Sequence, residues 1–369
     1  MKYQVFKNIG LAGLAIMALV CGNATAADEP KVLNVYNWAD YLPDGLLANF
    51  EKETGIKVRY DTFDTNEIVH AKLIAGRTGY DIIVPSANWA ALHIQAGLLR
   101  KLNKAQLPNL KNSDVTMTRL LAEVDPGNQY LVNWAWGFIT MGINVDKVKS
   151  ALGATPMPTN AWSLFFDPQY SNKLKSCGIS MLDSATDIFP AALHYMGKAA
   201  YSSNPADYAD AAKMMRVIRP NIKIFSSGIN DLAGGGLCMA VGYSGDMNIA
   251  AKRAREGKTG QKIEALVPST GGLLFYDNMA IPRDAEHPNN AHIFINYILR
   301  PEVAASISNK MNYATMNAAS EQFVDKDIRE NKSIFLTPEA KKTMIPSGTT
   351  TNDMRRIMTR AFTTFKTGL

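Results

Sequence analysis

The chain has 369 residues, of which 47% are hydrophobic and 20% are charged. This length predicts about two domains of roughly 100–200 residues each, and the composition excludes a disordered chain, a collagen and a disulfide-dense miniprotein. The formal net charge of +6 falls to +4 when Lys2 and Lys7 are subtracted, because both lie in a segment that we expect to be removed. So small and dispersed a charge predicts no nucleic-acid partner.

The N-terminus has the pattern of a secretory signal peptide. Lys2 and Lys7 precede an apolar stretch from Ile9 to Val20, and the small-residue exit Ala24-Thr25-Ala26 follows. The apolar run is too short for a bilayer span, which takes about 20 residues. We therefore predict a signal peptide over residues 1–26, cleaved after Ala26, and a periplasmic mature protein. Lipid attachment at Cys21 is the alternative, but the residue before it is not small.

The first part of the mature chain alternates strands and helices. Strands are predicted at Val32–Trp38, Lys57–Phe63 and Asp81–Val84, with helices at Leu46–Glu53 and from Asn66, as the N-cap, to Ala75. This alternation is typical of a largely parallel sheet with helices on both faces.

A second alternating block follows an extended apolar stretch from Tyr130 to Asn144, which could cross between two lobes. The remaining strands are predicted at Gly178–Leu182, Ile222–Phe225, Leu237–Tyr243, Ile263–Val267 and Leu273–Ile281, and the helices at Asp187–Met196, Asp207–Val217, Met247–Arg255 and from Asn289 onward. No flexible linker is evident. We therefore expect an α/β protein whose chain crosses between two lobes more than once, which creates a hinge and a cleft.

Ligands of such sheets bind beyond the carboxyl ends of the strands. The residues found there are Tyr36–Tyr41, Ser86, Asp183, Asp187, Tyr243–Asp246 and Phe275–Asp277. A single aromatic residue at a strand end is usually a packing residue, and a single Asp is usually a turn residue or a helix cap. Asp277 is harder to explain in that way, because it interrupts an apolar strand where a buried carboxylate is costly unless paired. Carboxylates and aromatic faces both bind ammonium groups, so the pattern favours a cationic, partly aliphatic ligand.

Cleavage of the signal peptide leaves two cysteines, Cys177 and Cys238. In an oxidising compartment their simplest state is a disulfide, and two buried thiols are the alternative. The sequence contains no HExxH, GxSxG or Walker-type motif. We predict no catalysis, no metal site and no cofactor.

Nine short stretches, in order along nearly the whole mature chain, resemble the periplasmic polyamine-binding proteins of bacterial ABC transporters, the spermidine/putrescine family. The putrescine-binding branch is the most similar. The stretches are Tyr36–Tyr41, Asn49–Val58, Gly79–Ser86, Asn144–Val148, Leu174–Gly178, Arg219–Ile222, Ile229–Ala233, Gly242–Asp246 and Tyr297–Val303.

The resemblance implies a type II periplasmic-binding-protein fold. Each lobe would be a mixed sheet flanked by helices, and a polyamine would be held in the cleft between them for delivery to a membrane permease. Lobe 1 would span residues 27–135 and lobe 2 residues 136–274, each completed by part of the C-terminal half. The ligand-binding residues that the resemblance implies are Trp38, Ala39, Asp40, Tyr41, Ser86, Asp187, Tyr243, Asp246, Phe275, Asp277 and Tyr313. The resemblance also implies a disulfide between Cys177 and Cys238.

Three residues depart from the pattern of the putrescine-binding branch. Ala39 stands where Ser or Thr is usual, Asp187 stands where Glu is usual, and Tyr243 replaces a Trp found in some members. A shorter acid at 187 opens space, so spermidine, cadaverine and agmatine stay open beside putrescine. A polyamine sensor that signals to a partner and an enzyme built on the same fold are the alternatives to a transport protein. We expect a monomer.

Overall fold

A computed structural model describes residues 29–368, so the predicted signal peptide and the alternative at Cys21 lie outside the described residues. The strands are β1 (Val32–Trp38), β2 (Lys57–Phe63), β3 (Ile82–Ile83), β4 (Leu99–Arg100), β5 (Val132–Asn144), β6 (Ile179–Met181), β7 (Ile222–Phe225), β8 (Met239–Tyr243), β9 (Ile263–Ala265), β10 (Leu273–Met279) and β11 (Ile281–Pro282). The α-helices are α1 (Leu46–Thr54), α2 (Asn66–Ala75), α3 (Ala87–Gln95), α4 (Val115–Leu121), α5 (Val145–Leu152), α6 (Ser163–Phe166), α7 (Pro168–Leu174), α8 (Ala185–Tyr195), α9 (Pro205–Ile218), α10 (Ile229–Ala233), α11 (Ser244–Glu256), α12 (Pro288–Ile298), α13 (Pro301–Met311), α14 (Lys326–Arg329), α15 (Pro338–Thr343) and α16 (Asn352–Thr367).

The first sheet has three parallel strands in the order β2-β1-β3. Its core is completed from the C-terminal half of the chain, because Phe294 of α12 packs edge-on against Phe50 of α1 with ring centroids 5.0 Å apart. The side chain of Asn290 also donates hydrogen bonds to the backbone oxygens of Pro30 (2.8 Å) and Val32 (3.0 Å). The first lobe is therefore assembled from segments far apart in sequence.

The predicted N-cap of α2 was wrong by one residue. Thr65 occupies the cap position in an extended conformation, and its hydroxyl accepts from the backbone N–H of Ile68. Asn66 is the first helical residue, and its amide side chain is bonded to Ser86 at the end of the neighbouring strand. The amide is therefore used across the fold and is not available to cap the helix.

Strand β5 is the long crossing segment that the sequence predicts. All of its residues are buried, and they contribute to successive hydrophobic cores. Trp134 packs in the core of the first sheet, Trp136 in a core shared with helix α3, and Ile139 in the core of the second sheet. The predicted stretch from Tyr130 to Asn144 is confirmed over Val132–Asn144.

The second sheet is mixed. Its strands lie in the order β10-β5-β8-β6-β7, with β9 paired to β5; β5 is antiparallel to β8, β9 and β10, whereas β6 is parallel to its neighbours. The two sheets meet where β10 ends, because Asp277 and Ala280 form antiparallel bridges with Ser86 and Ile83, which lie in and just after β3. The prediction of one strand from Leu273 to Ile281 was wrong at its end, because after Ala280 the chain pairs with β4 as β11.

A disulfide joins Cys177 and Cys238, whose Cα atoms lie 5.4 Å apart. Cys177 lies two residues before β6 and Cys238 directly precedes β8, and these strands are parallel neighbours. The predicted disulfide is thus confirmed.

Reduction of this disulfide is expected to lower the free energy of unfolding by about 4 kcal/mol, because it frees a loop with a sequence separation of 61 residues in the unfolded chain. Urea unfolding with and without dithiothreitol measures the change, and the double variant Cys177→Ser/Cys238→Ser should match the reduced protein. Two titratable thiols in the unfolded, unreduced protein would contradict the bridge.

His93 of α3 is fully buried, and neither of its ring nitrogens has a hydrogen-bond partner within residues 29–368. The His70 ring from α2 stacks on it, with centroids 5.3 Å apart. Burial, and to a lesser degree the neighbouring His70, lower the pKa of His93 to about 4.

We expect His93 to make the protein less stable in acid. In the unfolded chain a histidine titrates near pH 6.5, so as the pH falls the unfolded state takes up the proton first. The stability it contributes is present above about pH 6.5 and is lost as the pH falls towards 4, at a cost of about 2 kcal/mol by pH 5. Urea unfolding of wild type and His93→Leu at pH 8 and pH 5 isolates this contribution, since other titrating groups are common to both. An identical pH dependence in the two proteins would contradict it.

Candidate functional site

A cleft of about 940 Å³ is lined by residues that follow strands of both sheets. The structure brings together in its wall every residue that the sequence predicted for ligand binding, namely Trp38, Ala39, Asp40, Tyr41, Ser86, Asp187, Tyr243, Asp246, Phe275, Asp277 and Tyr313. Ala39 and Asp40 are exposed at its edge, and Asp40 adopts a left-handed backbone conformation with φ of 60°. Their shared location is an observation, whereas their role in binding stays a prediction.

Asp277 is the most buried carboxylate of the cleft, with 3% of its surface exposed. The Ser86 hydroxyl donates to one of its oxygens at 2.7 Å, and the Tyr41 hydroxyl donates to the other at 2.8 Å. Burial raises the pKa of Asp277 to about 6, although both hydrogen bonds act in the opposite direction. The carboxylate is held in place by neutral donors and keeps an uncompensated charge when ionised.

A β-bulge lies at this point of the strand pair. Asp277 stands opposite Ala135 and Asn278 opposite Asn133, so Trp134 is the extra residue on β5. The side chain of Asn133 fixes the bulge by donating to the backbone oxygens of Ala135 (2.8 Å) and Asp277 (3.2 Å). Bulges redirect side chains beside functional sites, and this one sets the backbone from which Asp277 extends.

Two further carboxylates lie in the first turns of helices. Asp187 is near the start of α8 and Asp246 near the start of α11, where the helix dipole favours negative charge. Tyr243 donates to Asp187 at 2.9 Å, and Tyr313 donates to Asp246 at 3.2 Å. Burial raises the pKa of Asp246 to about 6 and also raises the pKa of Asp187. Asp246 does not cap its helix, because the cap position belongs to Tyr243.

Aromatic rings form the rest of the wall. Phe275 contacts Tyr243 and Tyr313 edge-to-face, with centroids 5.2 and 5.6 Å apart. Gly137 and Gly245 make this arrangement possible, because a Cβ atom at either position would collide with the Tyr313 ring. The faces of such rings attract an ammonium group, and both faces and edges can pack against a methylene chain.

The cleft is acidic although the chain as a whole is basic. Eight acidic side chains line it against three basic ones. Asp183 is neutralised by Lys366, whose ammonium lies 2.7 Å from its carboxylate. No Lys or Arg within residues 29–368 forms a salt bridge with the other three cleft carboxylates considered above. Desolvated carboxylates without an internal cation form a suitable site for an external one.

Sequence reasoning missed two asparagines that support the site. Asn66 accepts from the backbone N–H of Ser86 at 3.0 Å and donates to its hydroxyl at 3.1 Å, which aims that hydroxyl at Asp277. Asn133 holds the bulge. The sequence offered no signal for Asn133, and Asn66 was interpreted as a helix cap because that role is common for Asn before an apolar pattern.

Within the described part of the chain, no cluster of three His, Cys, Asp or Glu residues is arranged to hold a metal ion. None of the helices between residues 29 and 368 has the length and apolar character needed to cross a membrane.

The family model described as bacterial extracellular solute-binding protein matches residues 45–335. The putrescine-binding periplasmic protein SpuD of Pseudomonas aeruginosa strain UCBPP-PA14 is 42% identical over 360 residues, which cover 97% of this chain and 98% of SpuD. The putrescine-binding periplasmic protein PotF of Escherichia coli strain K12 is 41% identical over 362 residues, 97% of either chain.

Among solved structures, the spermidine/putrescine substrate-binding protein PotD of Streptococcus pneumoniae superposes with a TM-score of 0.79. The match covers 92% of this chain and 99% of that protein. At 24% sequence identity it shows a shared fold and nothing further. The predicted two-lobe α/β fold is confirmed, whereas the exact residues at which one lobe passes to the other stay a prediction.

Proposed function

This chain belongs to the bacterial extracellular solute-binding proteins, and we propose that it captures a small polyamine in the periplasm and delivers it to an ABC permease for import. Relatives 41–42% identical over nearly the whole chain are named as putrescine-binding periplasmic proteins. The proposal includes export by a cleaved signal peptide, a monomeric state and the absence of catalysis.

One observation carries the choice of ligand. Asp187, Asp246 and Asp277 line one cleft, and each accepts hydrogen bonds from neutral hydroxyls while lacking a salt bridge to a Lys or Arg in residues 29–368. A diamine supplies the missing positive charges at its ends and a methylene chain for the aromatic wall between them. A sugar would leave all three carboxylates unpaired, and an amino acid would bring a carboxylate of its own into an acidic cleft.

Closure of the cleft would couple binding to transport. Residues that follow strands of the first sheet, such as Tyr41, and of the second, such as Asp246, would contact the same ligand. The ligand would therefore bind more tightly to the closed state and shift the population towards it. The strand pair β5 and β10 connects the two sheets and is the structural candidate for the hinge.

A thermal-unfolding panel on the refolded, ligand-stripped mature protein tests the ligand class. Putrescine, cadaverine, spermidine, spermine and agmatine are compared with γ-aminobutyrate, arginine and maltose. A ligand at about 100 times its dissociation constant adds about 2.7 kcal/mol of stability, so one or two polyamines should raise the melting temperature by several degrees. A shift with maltose alone, or no shift with any amine, would overturn the proposal.

A transport role is tested separately in cells. Deleting the gene should abolish high-affinity uptake of the polyamine identified by the panel, and the wild-type gene should restore it. Unchanged uptake would favour a sensor and would contradict delivery to a permease.

The length of the acid at position 187 is expected to tune ligand length. Asp187→Glu would extend the carboxylate by one methylene into the cleft and should favour putrescine over spermidine by about tenfold, since one methylene in a fitted pocket changes discrimination by that order. Calorimetric dissociation constants for both amines on wild type and variant measure the ratio. An unchanged ratio would show that Asp187 does not limit ligand length.

A further inference from the structure

A second cavity, of about 260 Å³, lies beside strand β5 in the first lobe and shares no lining residue with the cleft. Much of its wall is apolar, with side chains such as Leu110, Leu121, Ile298 and Ile307. No acidic side chain among the described residues lines it, and its one cationic side chain, Lys104, donates to the backbone oxygen of Gly127 at 2.8 Å. Its chemistry therefore differs from that of the cleft.

Three buried polar atoms on residues of this wall have no hydrogen-bond partner in the part of the chain that the structure describes. They are the indole N–H of Trp134 and the amide oxygens of Asn128 and Asn317. Both amides are already oriented, because their NH2 groups donate to the backbone oxygens of Thr118 (3.2 Å) and Leu299 (2.7 Å). A buried polar atom without a partner is costly and calls for an explanation.

We propose that this cavity is a second binding site, which takes a small neutral molecule with an apolar body and a hydroxyl or primary amide group. Because these atoms are fully buried, a small shift of their side chains towards the cavity accompanies binding. The oxygen of such a group then accepts from the Trp134 indole, and its O–H or N–H donates to an asparagine oxygen. The apolar body fills the space between the leucine and isoleucine side chains. A polyamine does not fit, because no carboxylate in the wall would neutralise its ammonium groups.

The position of Trp134 connects this site to the cleft. Trp134 is the bulge residue of β5, and its neighbour Asn133 both lines the second cavity and donates to the backbone oxygen of Asp277. An occupant therefore contacts the backbone segment that presents Asp277. This part of the inference rests on the proposed function, because it requires a polyamine in the cleft. We expect the occupant to change the affinity for the polyamine, and the polyamine to change the affinity for the occupant by the same factor.

The indole N–H resonances of the protein labelled with 15N-tryptophan provide the test. The full chain has five tryptophans, and the Trp134 signal is assigned by its loss in Trp134→Phe. Phenol and benzamide are titrated as probes, with toluene as the apolar control. We expect a saturable shift of the Trp134 signal below about 20 mM for both probes and weaker binding of toluene.

The variant Ala304→Leu, which places a larger side chain in the wall, should abolish the shift and leave putrescine binding unchanged. Thr118→Leu, on the half-buried rim, provides a second blocking variant if Ala304→Leu does not fold. No saturable shift of Trp134, a response of Trp38 in the cleft instead, toluene binding as tight as phenol, or full binding to both folded variants would each overturn the site.

Calorimetry then tests whether the second cavity and the cleft are coupled. With benzamide saturating, the putrescine dissociation constant should change at least twofold in wild type and not in the blocked variant; an unchanged constant would overturn the connection. If putrescine does not bind at all, the proposed function fails, while the Trp134 titration still decides whether the second site exists.

Discussion

Replacing Asp277 with Asn is expected to weaken polyamine binding by about 100- to 1,000-fold, because it leaves an ammonium group unpaired in a desolvated site. The same change should not destabilise the ligand-free protein. Burial raises the pKa of Asp277 to about 6, so its ionised form opposes folding at pH 7.5. Because the folded state binds the Asp277 proton more tightly than the unfolded state, this group favours folding most below about pH 3.8. That contribution is lost as the pH rises through 6.

Calorimetry with the polyamine and thermal unfolding without it measure the two effects. Asp183→Asn is the matched control, because Asp183 also lines the cleft but is already paired with Lys366. It should change affinity by less than about threefold, as expected for an exposed pair. Equal affinities of Asp277→Asn and wild type would remove Asp277 from the binding site.

The affinity for polyamine is expected to fall about 100-fold between pH 8 and pH 5. Burial raises the pKa values of Asp246 and Asp277 to about 6, and each must be ionised to pair with an ammonium group. The amine stays protonated throughout this range, so only the protein titrates. Below pH 6 each carboxylate costs about a factor of ten in affinity per pH unit.

Titration calorimetry at pH 8, 7, 6 and 5 gives the slope of the logarithm of the affinity against pH. Repeating the pH 6 titration in buffers of different ionisation enthalpy counts the protons that are released on binding. In Asp246→Asn the slope should fall by about one proton, since the contribution of Asp246 is removed and that of Asp277 remains. Affinity that stays constant down to pH 5 would contradict the assignment of these two carboxylates as the amine ligands.

Much of the fold followed from sequence because its signals are local. The strand-like stretches that became β1 and β2 and the long apolar stretch that became β5 are each contiguous in sequence. Helix α1 ends at Gly55, which adopts the left-handed conformation that glycine reaches readily. The cysteine pair followed from the compartment. What the sequence did not predict depends on distant contacts: the end of β10 was misplaced because Ile281 pairs with β4, a strand about 180 residues earlier.

In the candidate site, too, local features were predictable and distant contacts were not. Asp277 could be singled out because a charge inside an apolar strand is unusual in itself. The groups that hold Asp277 in place could not be predicted. The Ser86 hydroxyl, the Asn66 amide and the bulge at Trp134 act through three-dimensional geometry that no local sequence pattern encodes. A bulge in particular adds one residue to a strand without a compositional signal.

The assembly of the first lobe from both ends of the chain also has a kinetic consequence. Asn290 and Phe294 must reach Val32 and Phe50 before that core is complete, so it cannot close until most of the chain has been synthesised. Contacts between residues so distant in sequence slow folding, because the loop must be closed before they form. For the export that we propose, such a delay would be useful, because a secretion pore threads a chain that has not yet folded.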